Sequence, residues 1–339
     1  MSEPCTYRLR VLEVIEETAE ARSLVLQVPL ESAERFTYRA GQFLTVKLPG
    51  TDGGTAAARC YSLSSAPETG EPLKITVKRV AGGYGSQWIC DHVAAGDELE
   101  VLPPAGTFTL DSPAPDLLLV AGGSGITPVI SLAKSALVGG LGRVALLYAN
   151  RDESSVVFRD ELRELTEDYP DRLLVVHWLE SLQGLPAADR LVAVLAPYAD
   201  RETYVCGPAP LMDAVEEAMG GRPVHRERFF SLGADVFAAP GLPAAAEEGG
   251  GTVAVELDGE THTVRWPVRT PLLDALLAAG VDAPYSCREG SCGACACRIV
   301  SGETKMLRND VLDEQDLAEG YVLACQAVPL TDEVAVSYS

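Results

Sequence analysis

Apolar residues fall in different rhythms along the chain. In the N-terminal third they form short runs rich in Val, Leu, Ile, Thr and aromatics, at Tyr7–Val14, Ser23–Val28, Phe43–Lys47 and Leu73–Val80. Gly, Pro and Asp turns separate them, which predicts a small antiparallel barrel. The segment ends near Leu110, where Asp-Ser-Pro-Ala-Pro-Asp breaks the chain. Asp116–Val120 is then a continuous apolar run, as a parallel strand buried on both faces requires. A glycine-rich turn and a helical pattern through Val138 follow. Further strands are predicted at Val144–Tyr148, Leu173–Trp178 and Thr203–Cys206, and helices around Phe158–Tyr169, Arg190–Leu195 and Pro210–Met219. This alternation predicts an α/β domain with a parallel sheet. From Ser231 to Gly251 the sequence loosens into Ala, Pro, Gly and Glu, the composition of a tether. Thr252–Leu257 and Thr261–Trp266, joined through Asp-Gly, predict a hairpin, and Pro271–Ala279 a helix. The expected organisation is therefore a barrel over residues 1–111, an α/β domain over 112–232, a flexible linker over 233–251 and a further domain over 252–339.

Composition adds boundaries. The 339 residues are 47% hydrophobic and 22% charged, an ordinary globular balance with room for two or three domains. No apolar stretch is long and clean enough to span a membrane. Met-Ser-Glu-Pro-Cys carries no basic or apolar leader, so a cytoplasmic protein is expected. Nine cysteines without such a leader argue against a disulfide framework. A net charge of −22 excludes nucleic acid as a natural partner and opposes anionic membranes. A monomer is expected.

Four of the cysteines change the picture. Cys287, Cys292, Cys295 and Cys325 are spaced C-x4-C-x2-C, then C after 29 residues. This is the plant-type [2Fe–2S] pattern, whereas structural zinc sites come as paired C-x2-C units. Gly290, Ser291, Gly293 and Ala294 are small enough for a loop that bends around a cluster. Cys5, Cys60, Cys90, Cys206 and Cys297 read as packed thiols.

Two further constellations suit nucleotide cofactors. In Arg59-Cys-Tyr-Ser62 an arginine suits pyrophosphate, a tyrosine stacks on a flavin ring and a serine reaches its polar edge. Lys74–Lys78 offers an edge strand, and Gly82-Gly-Tyr-Gly-Ser86 precedes a predicted helix Gln87–His92 whose N-terminus favours an anion. Ala121-Gly-Gly-Ser-Gly-Ile-Thr-Pro128 lies between a strand and a helix. There Gly123 and Gly125 admit a pyrophosphate, Thr127 suits a cap and Pro128 the first helical turn. Asn150 and Arg151 end the next strand, where an adenosine ribose lies. Arg151 suits a 2′-phosphate, while Asp152 and Glu153 suit a free hydroxyl, so NADH and NADPH both remain open.

In this order the motifs resemble the ferredoxin–NADP reductase superfamily, with its R-x-Y-S, G-x-x-S, G-x-G-x-x-P, C-G-P and E-x-F elements. The resemblance implies FAD, with Arg59 and Ser86 on its pyrophosphate, Tyr61 and Ser62 on its isoalloxazine, and backbone around Val77 and Lys78 on its ribityl part. Gly83 belongs to the same turn, and Cys60 is expected to point away from the flavin. It also implies that Cys206, Gly207 and Pro208 flank the nicotinamide and that Glu227 and Phe229 shield the flavin. The implied fold is multidomain: an antiparallel β-barrel FAD domain, an α/β parallel-sheet nucleotide-binding domain and an α+β β-grasp [2Fe–2S] ferredoxin domain.

A nicotinamide delivers two electrons as a hydride, a [2Fe–2S] cluster accepts one, and a flavin can do both, so the flavin must lie between them. No acid–base or nucleophile arrangement is evident, and the chain has only four histidines. An electron outlet without substrate machinery implies a separate oxygenase. Arg59–Ser65, Leu146–Asp152, His177–Pro186, Cys287–Cys297 and Asn309–Asp316 are similar to the reductase components of actinobacterial 3-ketosteroid 9α-hydroxylases. That resemblance implies NADH and a Rieske-type terminal oxygenase in steroid degradation. The reductase of phenylacetyl-CoA epoxidase is the runner-up, a small-quinone diaphorase another alternative, and a cluster-based redox sensor an alternative of another class. The acidic run Asp310, Asp313, Glu314, Asp316 and Glu319 is a candidate docking surface for the oxygenase.

Overall fold

The computed structural model describes residues 6–50, 56–110, 112, 115–233, 235–237 and 250–338. Its first sheet contains β1 (Tyr7–Thr18), β2 (Ala21–Gln27), β3 (Phe43–Leu48), β4 (Ala57–Ser62), β5 (Leu73–Lys78) and β6 (Glu98–Val101), in the order β4-β3-β6-β1-β2-β5. All its pairings are antiparallel. Alternation sets the faces: Leu9 and Val11 of β1 point inward while Arg8 and Arg10 point out. Helix α1 (Tyr84–His92) closes one end of the barrel. It begins one turn before the expected Gln87, with Gly83 at its N-cap. Two strands are absent from the sequence reading, β4 and β6. The first has only small and polar residues around Arg59 and Tyr61, and the second alternates Glu with Leu and Val over just four residues.

The second sheet is parallel throughout, with order β11-β10-β7-β8-β9. Its strands are β7 (Leu117–Gly122), β8 (Val144–Asn150), β9 (Leu173–Leu179), β10 (Glu202–Cys206) and β11 (His225–Glu227). Every residue of β7 and β8 is buried, as expected for strands covered on both faces. Helices α2 (Ile126–Gly139), α3 (Arg159–Asp168), α4 (Glu180–Gln183), α5 (Ala188–Leu195) and α6 (Ala209–Met219) accompany it. The chain leaves β7 toward β8 on one side and reaches β10 on the other. The switch point thus lies at the C-terminal ends of β7 and β10, where open α/β sheets hold their ligands.

The third unit has a mixed sheet, β13-β12-β18-β14-β16, and a small ribbon, β15-β17. The strands are β12 (Gly250–Leu257), β13 (Glu260–Pro267), β14 (Ala296–Ser301), β15 (Thr304–Met306), β16 (Tyr321–Leu323), β17 (Ala327–Pro329) and β18 (Glu333–Ser337), with helices α7 (Leu272–Ala278) and α8 (Glu314–Ala318). Barrel residues Phe43, Ala58, Leu102 and Ala105 pack into the same apolar core as Trp266, Leu273 and Tyr285. Val236 and Phe237, inside the segment expected as linker, are buried in that core too, and Gly250 and Gly251 already belong to β12. Most of the rest of that segment, and Cys5, lie outside the described residues.

Candidate functional site

Strands β4 and β5, the glycine turn before α1 and the start of α2 enclose a cleft of about 390 Å³. Arg59, Tyr61, Ser62, Lys78, Gly83, Ser86, Thr127 and Phe229 all line it. Gly85 is tightly packed: a Cβ there would stand 2.7 Å from Leu48 Cδ1, 2.8 Å from Arg59 Cγ and 3.2 Å from the Tyr61 hydroxyl, so a side chain would push on the arginine and the tyrosine. The turn thereby lies flush against the arginine and tyrosine. Ser86 Oγ accepts from the Val80 N–H at 3.0 Å and ties the turn to β5. The Arg59 guanidinium donates to the Ala58 carbonyl at 2.7 Å and meets no carboxylate among the described residues, so its charge is available to a phosphate. An aromatic ring, a guanidinium without a carboxylate partner among the described residues and the N-terminus of a nine-residue helix in one cleft fit a flavin dinucleotide.

Val77 turns its side chain into the barrel core, while its neighbours Thr76 and Lys78 face the cleft. Burial, and then the nearby Arg151, push the Lys78 ammonium below its ordinary value. Phe229 is half exposed over the cleft mouth. Glu227 instead faces the gap beside Phe43 and Phe230 that leads toward Ser291 and Cys292. Burial pushes its carboxyl up to about 8. Cys60 lines the cleft wall but turns its thiol toward the third unit, 3.6 Å from Thr45 Oγ1.

Beyond Ser124 and Thr127 the cleft meets the switch point. Gly125 can carry no side chain, because a Cβ would stand 2.1 Å from the Cys206 carbonyl oxygen. The Gly122–Gly125 turn and the Cys206-Gly207-Pro208 turn are therefore pressed together. Thr127 does not cap α2 as expected. Gly125 holds the N-cap position, and the Thr127 hydroxyl donates to the Ser124 carbonyl at 3.1 Å, bracing the turn. Pro128 is in the first turn, buried. Both polar atoms of the buried Asn150 side chain lack a well-formed hydrogen bond among the described residues, with the Tyr148 hydroxyl close by. Arg151 is ion-paired to Glu20 of the barrel, and the Asp152 carboxylate is taken up by the Ser154 hydroxyl and the Ser155 N–H.

Cys287, Cys292, Cys295 and Cys325 converge below the surface. Their thiols meet in a continuous series, Cys292 with Cys287, Cys287 with Cys325 and Cys325 with Cys295. The N–H groups of Glu289 and Ser291 donate to Cys287 Sγ at 3.3 and 3.4 Å, and that of Cys325 to Cys295 Sγ at 3.4 Å. Backbone N–H groups aimed at sulfur favour thiolate there, as cluster ligands require. Among the described residues no three or more His, Cys, Asp or Glu side chains gather as a single-ion site. Four buried thiols brought together in this spacing fit a [2Fe–2S] cluster. Cys297 points away, and burial pushes its thiol up to about 12.

Comparison with known proteins agrees with this geometry. Residues 8–110 match the model of the oxidoreductase FAD-binding domain, 119–217 that of the oxidoreductase NAD-binding domain, and 255–330 that of the 2Fe-2S iron-sulfur cluster binding domain. Over 338 residues the chain is 53% identical to the ferredoxin reductase component of 3-ketosteroid-9-alpha-monooxygenase from Rhodococcus rhodochrous, covering 97% of this chain and 96% of that one. The chain belongs to this family of oxygenase reductases. A component of 1,2-phenylacetyl-CoA epoxidase from Escherichia coli is 33% identical over 362 residues, covering 98% of this chain and 97% of that one. Among solved structures, phthalate dioxygenase reductase aligns with a TM-score of 0.57 and 28% identity over 98% of each chain.

The three-domain reductase fold expected from sequence is thus the one observed, and FAD, NAD and [2Fe–2S] domains are all present. Several residues of this reductase escaped the motif reading. Thr76, Tyr84, Ser124 and Ser231 also line the flavin cleft. Thr76 was accessible through strand alternation, since it shares a face with Lys78. Ser231 had no local signal: it reaches the cleft by bridging to Arg59 from the end of the NAD-binding domain. No helix among the described residues is long and apolar enough to cross a membrane. In the acidic run, Asp313 and Asp316 close a capping box on α8, Asp310 pairs with Arg308, and Glu319 accepts from Gln315.

Proposed function

We propose that the chain takes a hydride from NADH onto FAD and delivers single electrons through its [2Fe–2S] cluster to the Rieske-type terminal oxygenase of a 3-ketosteroid 9α-hydroxylase, in the cytoplasm and as a monomer. The observation that carries this reading is the junction of sites. Ser124 and Thr127 of the nicotinamide crevice share the flavin cleft, and Cys60 on the opposite wall of that cleft faces the four-cysteine loop. A bound flavin supplies the change from two-electron to one-electron chemistry. The protein does the rest by placement. Arg59 and the α1 N-terminus, with Ser86 and Gly83, hold the dinucleotide phosphates, while Tyr61 and Ser62 fix the ring and Lys78 its ribityl side. Gly123, Gly125, Thr127 and Pro128 hold the nicotinamide dinucleotide's pyrophosphate, and Asn150 satisfies its amide on the adenosine half. Cys206, Gly207 and Pro208 wall the nicotinamide, and Phe229 excludes water from the flavin until it is displaced. Cys287, Cys292, Cys295 and Cys325 ligate the cluster.

NADH rather than NADPH is favoured because Glu20 already neutralises Arg151, so a 2′-phosphate would have to displace that carboxylate. The 53% identity over the whole length to the Rhodococcus reductase, against 33% to the epoxidase component, favours the steroid oxygenase as partner. Docking is proposed beside the acidic run, with Glu314 the carboxylate that has no local partner among the described residues. The decisive experiment is anaerobic titration of the purified protein with NADH and with NADPH, following flavin and cluster absorbance separately. Turnover with a purified 3-ketosteroid 9α-hydroxylase oxygenase follows it. Failure of NADH to reduce the cluster rejects the relay, and failure of the oxygenase to turn over rejects the partner.

A further inference from the structure

Thr45 and Ser286 meet hydroxyl to hydroxyl across the boundary between the barrel and the ferredoxin domain, Oγ1 to Oγ 2.6 Å. Both side chains are withdrawn from water, at 0% and 1% exposure. Thr45 on β3 stands directly opposite Cys60 on β4 in the strand register, and the Cys60 thiol lies 3.6 Å from the same Oγ1. Cys60 has the flavin cleft on its other side, between Arg59 and Tyr61. Ser286 is the residue before the cluster ligand Cys287. A line of three side chains therefore crosses from the cleft wall to the cluster loop.

The surroundings explain why this matters. Around this pair the buried part of the seam is apolar, with Phe43, Ala58, Leu102 and Ala105 of the barrel packed into the ferredoxin-domain core, while at its exposed rim Arg35 pairs with Asp282 at 3.0 Å. Apolar contact is non-directional and tolerates small slips of one face over the other. A pair of buried hydroxyls does not. Slippage by one side-chain spacing strands Ser286 and leaves Thr45 only the weak Cys60 thiol, and losing a buried hydroxyl's partner shifts an equilibrium by about 5- to 150-fold. A buried polar contact in the apolar part of the seam thus selects one register, as single buried polar residues do between paired helices, whereas the exposed Arg35 pair at the rim is solvated and tolerant.

We propose that the Thr45–Ser286 hydroxyl pair, with Cys60 beside it, is a registry pin that seats the cluster loop against the flavin-cleft wall and so governs how fast electrons cross from flavin to cluster. The proposal rests on the relay reading given above. In each crossing one electron leaves the reduced flavin and reduces one iron of the cluster. NADH supplies the electrons, and no bond of the pin is made or broken. Thr45 and Ser286 are positioning residues: they touch neither the reacting flavin atoms nor iron.

The test uses the full-length holoprotein and the variants Thr45→Val, Ser286→Ala, their double and Thr45→Ser. Anaerobic mixing with NADH separates flavin reduction from cluster reduction, and amide hydrogen exchange over residues 43–48 and 285–288 reports seating independently of electron flow. Flavin reduction by NADH should stay at the wild-type rate throughout. Thr45→Val and Ser286→Ala should each slow cluster reduction at least about fivefold and raise exchange in both segments, because the remaining hydroxyl loses its strong partner and keeps at most the weak Cys60 thiol. The double variant should recover to within about threefold of wild type, since two facing apolar groups need no partner. Thr45→Ser should match wild type. Single variants with wild-type transfer and exchange overturn the pin. So does a double variant that compounds the two single defects, or a Thr45→Ser variant as slow as Thr45→Val. Wild-type protein whose flavin is reduced while its cluster never is overturns the relay itself, and the pin with it.

Discussion

Lys134 Nζ on α2 of the NAD-binding domain lies 2.6 Å from Glu71 Oε1 of the barrel. The lysine side chain is only 4% exposed, and it also holds Glu161 at 2.8 Å, while Lys74 bridges the two carboxylates from the barrel side. Burial opposes charge on Glu71, but the Lys134 ammonium outweighs it and keeps the carboxyl below its ordinary value. The two domains that must align nicotinamide with flavin are thus fastened by a partly buried two-by-two ion cluster. Lys134→Met leaves two carboxylates facing one lysine and should cost about 3 kcal/mol in urea unfolding at neutral pH. The contribution of Glu71 is complete above the unfolded carboxylate value and is lost as pH falls through its lower folded value. The variant should therefore lose less stability than wild type on acidification. A parallel acid branch in both proteins would refute the role given to Glu71.

Glu227 works in the opposite sense. Its carboxyl is pushed up to about 8, so the folded chain binds this proton more tightly than the unfolded one. Its stabilising contribution is full below the ordinary carboxyl value and disappears as pH rises through about 8. Glu227→Gln should therefore be more stable than wild type by roughly 1–3 kcal/mol at pH values above that point, discounted for partial solvent access, and equal to it in mild acid. Melting temperatures across that range measure the difference. A Gln variant that tracks wild type throughout contradicts the prediction.

Nucleotide preference turns on Glu20. Its pairing with Arg151 is half exposed and worth about 1 kcal/mol, so Glu20→Gln should raise kcat/KM for NADPH relative to NADH by about fivefold in dye-reduction assays. Arg151→Ala should erase that gain. An unchanged ratio in Glu20→Gln would place the discrimination elsewhere.

Cluster and flavin should be separable. Cys325→Ala removes a ligand from the buried loop without touching the flavin cleft. Iron and sulfide content should fall, NADH-driven reduction of a small two-electron dye should persist, and oxygenase turnover should drop to background. Oxygenase turnover that survives iron loss would reject the relay.

Much of this was readable from the chain because the cofactor motifs are local. Four cysteines in one spacing, and glycine turns between strands and helices, declare themselves in a few residues. The parallel strands were equally plain, since burial on both faces makes β7 an unbroken apolar run. What stayed hidden depends on contacts between distant segments. Thr45 and Ser286 are unremarkable in sequence and are separated by 241 positions. The cap expected of Thr127 failed for a different reason: the chain enters α2 through Gly125, packed on Cys206, and leaves the hydroxyl two residues too late. Val236 and Phe237 looked like the edge of a tether because their composition is loose, yet a single Val-Phe pair is enough to anchor it.

The core shared by Phe43, Ala58, Trp266 and Tyr285 bears on how such chains are assembled over evolutionary time. A C-terminal module cut free at its connecting segment would carry an uncovered oily face, and the barrel would be left with a matching bald patch. Shuffling this module between proteins therefore means transplanting both halves of the joint, so its boundaries as an inheritable piece extend beyond the residues that bind iron.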